Sequence, residues 1–395
     1  RRYGCLKRGT STTPQARSAR AARASNATSH SFTECNKNAD ASAGAYRQVM
    51  TALNTPPLTL PILDLSELDR GPEAAQHFRD ALREATHNVG FFYLTGHGVP
   101  PELEERLLRA ARDFFALPEA SKLAIENVNS PQFRGYTRVG GERTQGKVDW
   151  REQIDIGPEL PAVDDPSAAD LWRLQGPNLW PADLPELQAV VTEWQELLGE
   201  IAVRLLRAWA ESLGSPADAF DAGFAPAPST LVKVVRYPGK DDPTPQQGVG
   251  AHKDGGVLTL LWVEPGKAGL QVEKDGEWLD APPVPGAFVV NIGELLEYAS
   301  DGYLKATVHR VVSPGAGDER ISIPFFYNPA LDKAITLLEL PPALKAEATG
   351  VTRDPANPIS GVVGENALKS RLRAHPDVAA IHHPDLVEKY AALAR

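Results

Sequence analysis

Two histidines and one carboxylate have the residue types and the spacing of a metal site. His252 and Asp254 are two residues apart, so on a β-strand both side chains point to the same face. His309 lies in a second stretch of alternating apolar residues and offers a third ligand from a distant strand. Two histidines and one carboxylate form a facial triad, with which non-haem Fe(II) oxygenases hold a co-substrate and O2 together. Taken singly, Asp254 is better explained as a turn residue and His309 as a core histidine, so the joint pattern is what favours the metal site.

A second pair of residues, Arg320 and Ser322, is suited to binding an acid. These residues are also spaced i, i+2, so a strand would place both on one face. A guanidinium group binds a carboxylate through two hydrogen bonds, and a hydroxyl group adds one more donor. In isolation the pair would be a surface arginine beside a strand serine; next to the triad, an acid-binding site is the favoured interpretation.

The carboxy-terminal half has the pattern of a β-protein that could position these residues. After Gly214, short β-branched and aromatic runs alternate with turn residues. The predicted strands are 231–237, 249–252, 257–263, 270–273, 278–281, 288–292, 307–312 and 321–326. Eight short strands predict a sandwich or a jelly roll. The dipeptide Asp275-Gly276 between two of them predicts a tight hairpin, because it accepts the positive φ angles of a type I′ turn.

The regions on either side of these strands are predicted to be partly helical. A strand at 60–65, a helix from Pro72 and a buried strand at 91–94 make an α/β opening segment. Residues 127–185 lack periodicity and are predicted to be surface loops, whereas the helix that follows has one apolar face. The tail from residue 341 returns to helix and loop. Its histidines are expected on the solvated surface: His375, His382 and His383.

The first 49 residues differ in composition from the rest of the 395-residue chain. They carry nine Lys or Arg against two Asp or Glu, whereas the whole chain has a formal net charge of −10. We interpret them as a disordered leader or an upstream extension before Met50, the only methionine, with an organellar transit peptide as the alternative. The predicted segments are the leader at 1–49, an α/β and helical region at 50–215, a jelly-roll domain at 216–340 and a helical tail at 341–395.

Composition also argues against several classes of function. A run of about 18 apolar residues is absent from the sequence, which disfavours a membrane-embedded protein. The negative net charge disfavours general nucleic-acid binding. Both cysteines, Cys5 and Cys35, precede residue 50, so the patterned part has neither a disulfide framework nor a cysteine-ligated metal. We expect a cytoplasmic protein that acts on a small molecule, and we leave its oligomeric state open.

As a set, these motifs resemble the signature of the 2-oxoglutarate and Fe(II)-dependent dioxygenases of the isopenicillin N synthase-like family. The ligand motifs are His252-x-Asp254, His309-Arg310-Val311 and Arg320-x-Ser322. Further matches are 60–65, 90–94 and 96–99 in the amino-terminal half, and 236–238, 290–293 and 324–326 in the carboxy-terminal half. The resemblance covers nearly all of residues 58–330.

The resemblance implies a mainly β fold with flanking helices, in which a double-stranded β-helix (jelly-roll) core follows an α/β amino-terminal segment. It implies Fe(II) as cofactor, with 2-oxoglutarate and O2 as co-substrates. The metal ligands would be His252, Asp254 and His309. The contacts to the far carboxylate of 2-oxoglutarate would be Arg320, Ser322 and Tyr237. Oxidative decarboxylation would give succinate and CO2, and a small molecule, expected to belong to specialised metabolism, would be hydroxylated, desaturated or cyclised.

Two alternatives stay open at this point. Val235 stands where plant members often have asparagine, and Arg236-Tyr237-Pro238 is closer to isopenicillin N synthase, an oxidase that uses no 2-oxoglutarate. Arg320 and Ser322 therefore indicate an acid-binding site without naming the acid. The second alternative is a jelly-roll protein with a non-catalytic metal site, although structural sites are more often closed by a fourth protein ligand.

The residues that contact the substrate are less visible in the sequence. Residues 133–136 and 150–152 fall where family members place loops over the pocket, with ordinary surface loops as the alternative. Asn291 and Phe326 are candidates for lining the pocket, because they lie on strands near the ligands. His97 is excluded from the site, since its Gly-His-Gly motif is explained by turn geometry and packing.

Overall fold

The computed structural model describes residues 59–240, 247–351 and 358–391. These residues belong to one compact unit. The predicted leader at 1–49, its transit-peptide alternative and Met50 lie outside the described residues. The predicted segment boundaries after residues 215 and 340 stay predictions.

Strands in the described residues alternate between apolar and polar positions or consist of buried β-branched and aromatic runs. In chain order they are β1 Ile62–Asp64, β2 Phe91–Thr95, β3 Gly135–Thr137, β4 Arg143–Thr144, β5 Lys147–Val148, β6 Glu152–Ile156, β7 Ser229–Pro238, β8 Gln247–His252, β9 Leu258–Val263, β10 Leu270–Lys274, β11 Glu277–Asp280, β12 Phe288–Ile292, β13 His309–Val312 and β14 Glu319–Asn328.

Several of the helices in the described residues have proline in their first turn, where the missing N–H group costs nothing. In chain order they are α1 Pro72–Asn88, α2 Pro101–Ala116, α3 Glu119–Leu123, α4 Pro185–Ser212, α5 Asp221–Phe224, α6 Glu294–Ala299, α7 Pro342–Glu347, α8 Val363–Ala374, α9 Pro376–His382 and α10 Pro384–Ala391. No helix in this part of the chain is both long enough and apolar enough to span a bilayer.

Two sheets form the centre of the molecule. The major sheet has eight strands in the order β1-β2-β12-β9-β14-β7-β6-β3, and the minor sheet has four in the order β11-β10-β13-β8. One face of the major sheet packs against α1, α2 and α4 in a large apolar core that includes Trp194 and Trp209. The other face, here called the inner face, packs against the minor sheet: Val235 and Tyr237 of β7 cluster with apolar residues of β8, β10 and β13.

All eight strands that the sequence predicts in the carboxy-terminal half are present, as β7 to β14. The predicted hairpin joins β10 to β11, with φ angles of 53° at Asp275 and 84° at Gly276. The sheet-rich core with flanking helices is therefore confirmed. An unforeseen feature is that strands from the amino-terminal region complete the major sheet, β1 and β2 at one edge and β6 and β3 at the other.

The prediction of surface loops at 127–185 is wrong in two places. Gly135–Thr137 and Glu152–Ile156 are buried strands that pair with each other and, through β6, with β7. In β6 the apolar residues Ile154 and Ile156 alternate with Gln153 and Asp155, but this pattern is only four residues long. Its polar side lies on the inner face and is buried through hydrogen bonds and ion pairs instead of facing solvent.

The expectation that the tail histidines are solvated is also wrong. His375 and His383 are each 2% exposed, and His382 is partly buried. Tail helices α8 to α10 pack onto the region before α4, where Phe133 stacks against the His383 ring. The Nε2 atoms of His382 and His383 contact the carbonyl oxygens of Val128 and Pro131 at 2.8 and 2.7 Å. These histidines are packing residues because the tail covers a surface that the sequence does not reveal.

Candidate metal centre and acid-binding site

Three side chains converge between the two sheets. His252 is the last residue of β8 and His309 the first of β13, and the two lie opposite each other in the antiparallel register. Asp254 follows β8, and its Oδ1 lies 3.5 Å from Nε2 of His252 and 3.7 Å from Nε2 of His309. The three donor atoms lie within 4.8 Å of one another, so one ion could contact all three.

Asp254 reaches this position in a different way from the one predicted. The spacing predicts that His252 and Asp254 lie on one face of the same strand, but β8 ends at His252 and Asp254 lies in the loop that follows. Its Oδ2 accepts hydrogen bonds from Thr259 Oγ1 at 2.6 Å and Asn291 Nδ2 at 2.8 Å. Two inner-face residues of the major sheet therefore orient the carboxylate and leave Oδ1 for a metal.

Both imidazoles are oriented from the backbone. Nδ1 of His252 donates to the Gly250 carbonyl at 2.8 Å, and Nδ1 of His309 donates to the Thr307 carbonyl at 3.1 Å. These bonds place the proton on Nδ1 and leave the Nε2 lone pairs directed toward Asp254. Thr259 is a functional residue that sequence reasoning missed, because a threonine five residues after a carboxylate follows no ligand spacing.

The electrostatics of the cluster favour the protonation states that a metal requires of Asp254 and His309, whereas burial of His252 is outweighed by the hydrogen bond and charge of Asp254, which raise the pKa of that histidine. Burial opposes the ionisation of Asp254, yet His309 and His252 hold the pKa of its carboxyl well below its usual range. Burial, together with the neighbouring His252, lowers the pKa of His309 to about 4. At neutral pH the cluster therefore contains an ionised carboxylate and a neutral His309 imidazole, as metal binding demands.

The loop that carries Asp254 is held by close backbone contacts. The Asp254 carbonyl accepts from the Glu294 amide at 2.8 Å, and Asn328 Oδ1 accepts from the Val257 amide at 2.8 Å. A Cβ atom on Gly256 would lie 2.2 Å from that Asn328 oxygen, so the loop can approach β14 only because residue 256 is glycine.

Arg320, Ser322 and Tyr237 meet on the inner face of the major sheet. Arg320 lies opposite Tyr237 in the register of β14 and β7, with its Cζ 4.9 Å from the Tyr237 ring centroid. Its Nη1 donates to Ser322 Oγ at 3.1 Å. The side chain is only 1% exposed, and its Nε and Nη2 atoms have no hydrogen-bond partner among the described residues. A buried guanidinium with two free donors is suited to a carboxylate ligand, which would satisfy both.

Comparison with known proteins agrees with this geometry. Residues 60–183 match a family described as the amino-terminal domain of the non-haem dioxygenase in morphine synthesis, and residues 229–329 match the 2OG-Fe(II) oxygenase superfamily. A 2-oxoglutarate-dependent dioxygenase, frbJ, from Dothideomycetidae sp. is 35% identical over 343 residues, which cover 81% of this chain and 90% of that protein.

The chain belongs to the 2-oxoglutarate and Fe(II)-dependent dioxygenases of the isopenicillin N synthase-like family.

Solved structures show the same fold with ligands bound. A Neurospora crassa protein, in complex with alpha-KG and thymine, has a TM-score of 0.63 and 25% identity, with 83% of this chain and 98% of that chain covered. JOX2, in complex with 2OG, Fe and JA, has a TM-score of 0.62 and 29% identity, with 80% and 86% covered. This dioxygenase therefore uses Fe(II) as cofactor, with 2-oxoglutarate and O2 as co-substrates, and neither the oxidase nor the non-catalytic alternative is favoured.

The remaining residues discussed from the sequence are His97, Phe326 and the segments 133–136 and 150–152, and the fold of the dioxygenase shows where each of them lies. His97 packs on Phe288, and its Nε2 contacts the Gly286 carbonyl at 3.1 Å. Phe326 is partly buried on the inner face, opposite Thr259 of β9. The segments 133–136 and 150–152, expected as loops over the pocket, are mostly buried and lead into β3 and β6 instead.

Proposed function

We propose that His252, Asp254 and His309 bind the Fe(II) of this dioxygenase. The proposal is supported by the convergence of their donor atoms, and by the hydrogen bonds that orient both imidazoles and the carboxylate. Three protein ligands leave open positions on the metal, as catalysis with a bound co-substrate requires.

We further propose that Arg320, Ser322 and Tyr237 bind the far carboxylate of 2-oxoglutarate. The observation that carries this assignment is the buried Arg320 guanidinium, whose Nε and Nη2 have no partner in the described residues. A carboxylate would neutralise this charge and accept both free hydrogen bonds. Ser322 holds the guanidinium through Nη1, and the Tyr237 ring covers its face.

The chemistry follows from this arrangement. When bound, Fe(II) would activate O2, which is the four-electron oxidant: oxidative decarboxylation of 2-oxoglutarate to succinate and CO2 supplies two of the electrons, and oxidation of a C–H bond of the substrate supplies the other two. The protein holds the co-substrate at one end, orients the substrate at the other and excludes water between the sheets. Hydroxylation, desaturation and ring closure are all compatible with these residues.

The substrate is proposed to be a small molecule, in line with the thymine and JA complexes of the neighbours. The net charge of −10 disfavours a nucleic-acid substrate. We place the reaction in specialised metabolism, because the family matched by residues 60–183 is described from morphine synthesis. A cytoplasmic location is proposed because residues 50–395 contain no cysteine that a disulfide would require.

The test of the co-substrate site is an anaerobic titration of Fe(II)-loaded protein with 2-oxoglutarate. We expect a visible charge-transfer absorption band to appear, and succinate to form on admission of air. Arg320→Ala should weaken the band at a given concentration of 2-oxoglutarate. Arg310→Ala is the matched control, because Arg310 lies on β13 of the minor sheet over Trp278, 4.0 Å from its ring centroid, and should behave as wild type. Equal affinity in Arg320→Ala and wild type would contradict the assignment.

The metal ligands are tested by equilibrium iron binding. His252→Ala should lose stoichiometric iron and all turnover, since it removes a ligand. His97→Ala removes a histidine that is also largely buried but contacts Gly286, so it should retain iron. An iron-loaded, active His252→Ala variant would contradict the ligand assignment.

A further inference from the structure

On the inner face of the major sheet, the side chains of β6 are polar, and they lie next to β7 and β14, which carry the proposed 2-oxoglutarate contacts. At β14 and β7, Val235 stands between Ser322 and Gln153 in the register, and Lys233 pairs with Asp155. Because neighbouring strands lie about 4.8 Å apart, the Gln153 backbone is roughly 10 Å from that of Ser322. The polar side chains of β6 therefore continue the surface on which the proposed 2-oxoglutarate contacts lie.

Arg151 joins this surface at the seam between the two sheets. The Trp150 amide donates to the Gln247 carbonyl of β8 at 2.8 Å, whereas Glu152 already pairs with Arg236 of β7. The chain therefore crosses from the minor to the major sheet at Arg151. Because Glu152 pairs with Arg236, the preceding residue Arg151 lies at the end of β7 that carries Tyr237, and Tyr237 in turn pairs with Arg320 of the proposed co-substrate site.

Five buried side chains and the partly buried Arg371 form a chain of alternating charge in this region, here called the ion-pair chain. Its contacts are Asp149 to Arg151 at 3.3 Å, Arg151 to Glu142 at 2.8 Å, Glu142 to Lys233 at 2.8 Å, Lys233 to Asp155 at 3.5 Å and Asp155 to Arg371 at 2.5 Å. Three carboxylates are thus balanced by three cations, and every charge has at least one partner. The ion-pair chain needs no charge from a ligand.

Within residues 151–156, two buried polar side-chain atoms have no partner among the described residues: Gln153 Oε1 and Arg151 Nε. The Gln153 amide nitrogen donates to Asp155 Oδ1 at 2.8 Å, which fixes the amide with its oxygen turned away. The Arg151 Nη2 atom is held by Glu142 and Asp149. One free acceptor and one free donor therefore belong to residues that are two positions apart. A buried polar atom without a hydrogen-bond partner lowers stability unless a ligand supplies that partner.

We propose that Gln153 and Arg151 bind the substrate through an uncharged group that has both a hydrogen-bond donor and an acceptor, such as a secondary amide or a lactam. This inference rests on the proposed function, since it concerns the same site. The ligand N–H would donate to Gln153 Oε1, and the ligand carbonyl would accept from Arg151 Nε. A carboxylate or an ammonium group at this position would bring an uncompensated charge next to a chain that is already neutral, which disfavours both.

The test compares four bicyclic probes of similar size with the anaerobic Fe(II) and 2-oxoglutarate complex. They are 2-quinolone, which has both a donor and an acceptor, N-methyl-2-quinolone, which has only the acceptor, 2-naphthoate and 2-naphthylmethylamine. Each dissociation constant is measured from the change in the charge-transfer band. We expect 2-quinolone to bind about tenfold more tightly than each of the other three probes. This is the change in dissociation constant expected when one hydrogen bond is lost or one unfavourable charge is introduced.

Variants locate the preference on the two residues. Arg151→Lys keeps the positive charge but removes Nε, and Gln153→Leu removes the acceptor; each should reduce the preference for 2-quinolone to about twofold or less. Arg310→Lys makes the same substitution outside the site and should leave the preference for 2-quinolone unchanged. Because two independent variants are used, failure of one to fold leaves the other as a test.

Three results would overturn the inference. The first is tighter binding of 2-naphthoate or 2-naphthylmethylamine than of 2-quinolone, and the second is an unchanged preference for 2-quinolone in both variants. The third is that no probe binds at about 5 mM although the charge-transfer band forms, which would mean dissociation constants weaker than millimolar. Absence of the band in wild-type protein is a separate result. It would contradict the proposed function itself, and the two failures are therefore distinguishable.

Discussion

Two buried arginines lie on either side of Tyr237, and their surroundings are opposite. Arg320 has one hydrogen bond, to Ser322, and two nitrogen atoms without a partner in the described residues. Arg151 is held by Glu142 and Asp149. Burial lowers the pKa of Arg320, whereas the carboxylates around Arg151 outweigh its burial and raise its pKa. Arg151 Nε also has no partner in the described residues, so the difference lies in the charge: Arg151 has two carboxylate counter-ions, and Arg320 has no ion-pair partner among these residues.

The difference in counter-ions indicates a ligand-binding role for Arg320 and a structural role for the charge of Arg151. A guanidinium that is buried without a counter-ion has lost its hydration and awaits an anion, so Arg320 is adapted to a carboxylate ligand. Arg151 already has its anions, and its charge contributes to the stability of the fold around β6. A buried arginine in a pocket is therefore evidence for an anionic ligand only when its own pairing has been examined.

The largest expected difference between the two arginines is in stability. Arg151→Met breaks a buried ion pair and should lower the free energy of unfolding by about 3–5 kcal/mol. Arg320→Met removes a buried charge that has no ion-pair partner in the part of the chain that the structure describes, so it should leave the free energy of unfolding of the metal-free protein unchanged or raise it. Urea denaturation of both variants without metal or 2-oxoglutarate measures the contrast.

Arg310→Met serves as the control for this contrast. It replaces an arginine of β13 that contacts Trp278 and Gln271, and should change the unfolding free energy by about 1 kcal/mol or less. Similar destabilisation by Arg320→Met and Arg151→Met would show that the two arginines do not differ as proposed.

The next largest effect concerns the affinity for 2-oxoglutarate. Truncating one partner of a buried, hydrogen-bonded charge pair costs about 2–5 kcal/mol, so Arg320→Ala should raise the dissociation constant roughly 30- to 5000-fold. Anaerobic titration of the charge-transfer band measures it. Because Arg151 is already paired, Arg151→Lys should change this constant far less, and a comparable loss in both variants would remove the distinction between them.

A buried histidine next to the ion-pair chain, His375, should make the free energy of unfolding depend on pH. His375 Nε2 lies 3.6 Å from Glu142 Oε1, and burial lowers the pKa of His375 to about 4. The unfolded chain binds this proton near pH 6.5 and the folded chain only near pH 4, so the unfolded state binds more protons in between. Stability should therefore fall as the pH drops from about 6.5 to about 4, by up to about 3 kcal/mol for this group.

His375→Gln isolates that contribution from the other groups that titrate in the same range. The difference in unfolding free energy between wild type and the variant should change by that amount between about pH 7 and about pH 4, and a constant difference would show that His375 does not carry the effect. His77→Gln, at an exposed position with a side chain 75% accessible, is the control and should leave the pH dependence of wild type.

Much of the fold could be predicted from the sequence because its strands are short, apolar and separated by turn residues. The eight carboxy-terminal strands and the hairpin at Asp275-Gly276 follow from local patterns that the structure preserves. The residues His252, Asp254 and His309 could be selected because ligand types and spacing are visible in one dimension. The way in which Asp254 reaches the site could not be predicted, since it lies in a loop and is oriented by Thr259 and Asn291 from other strands.

The regions that sequence reasoning missed are those in which polar residues are buried. Gln153 and Asp155 are the polar side of β6, which the sequence would place in solvent, and Asp155 is buried only because Lys233 and Arg371 arrive from distant parts of the chain. His375 belongs to the same group, as a tail residue whose burial depends on contacts with residues before 160. Compensation of this kind is a property of tertiary structure, so neither periodicity nor composition predicts it.

The smallest effect should come from the hydroxyl group that holds Arg320. Ser322 Oγ accepts from Arg320 Nη1 at 3.1 Å, and its removal in Ser322→Ala leaves the guanidinium charge intact. A single neutral hydrogen bond is worth about 0.5–1.5 kcal/mol, so the dissociation constant for 2-oxoglutarate should rise roughly 2- to 12-fold. Ser322→Thr keeps the hydroxyl and should recover most of the affinity if the added methyl group fits. A loss in Ser322→Ala as large as that in Arg320→Ala would mean that the hydroxyl, rather than the buried charge, carries the binding of the carboxylate.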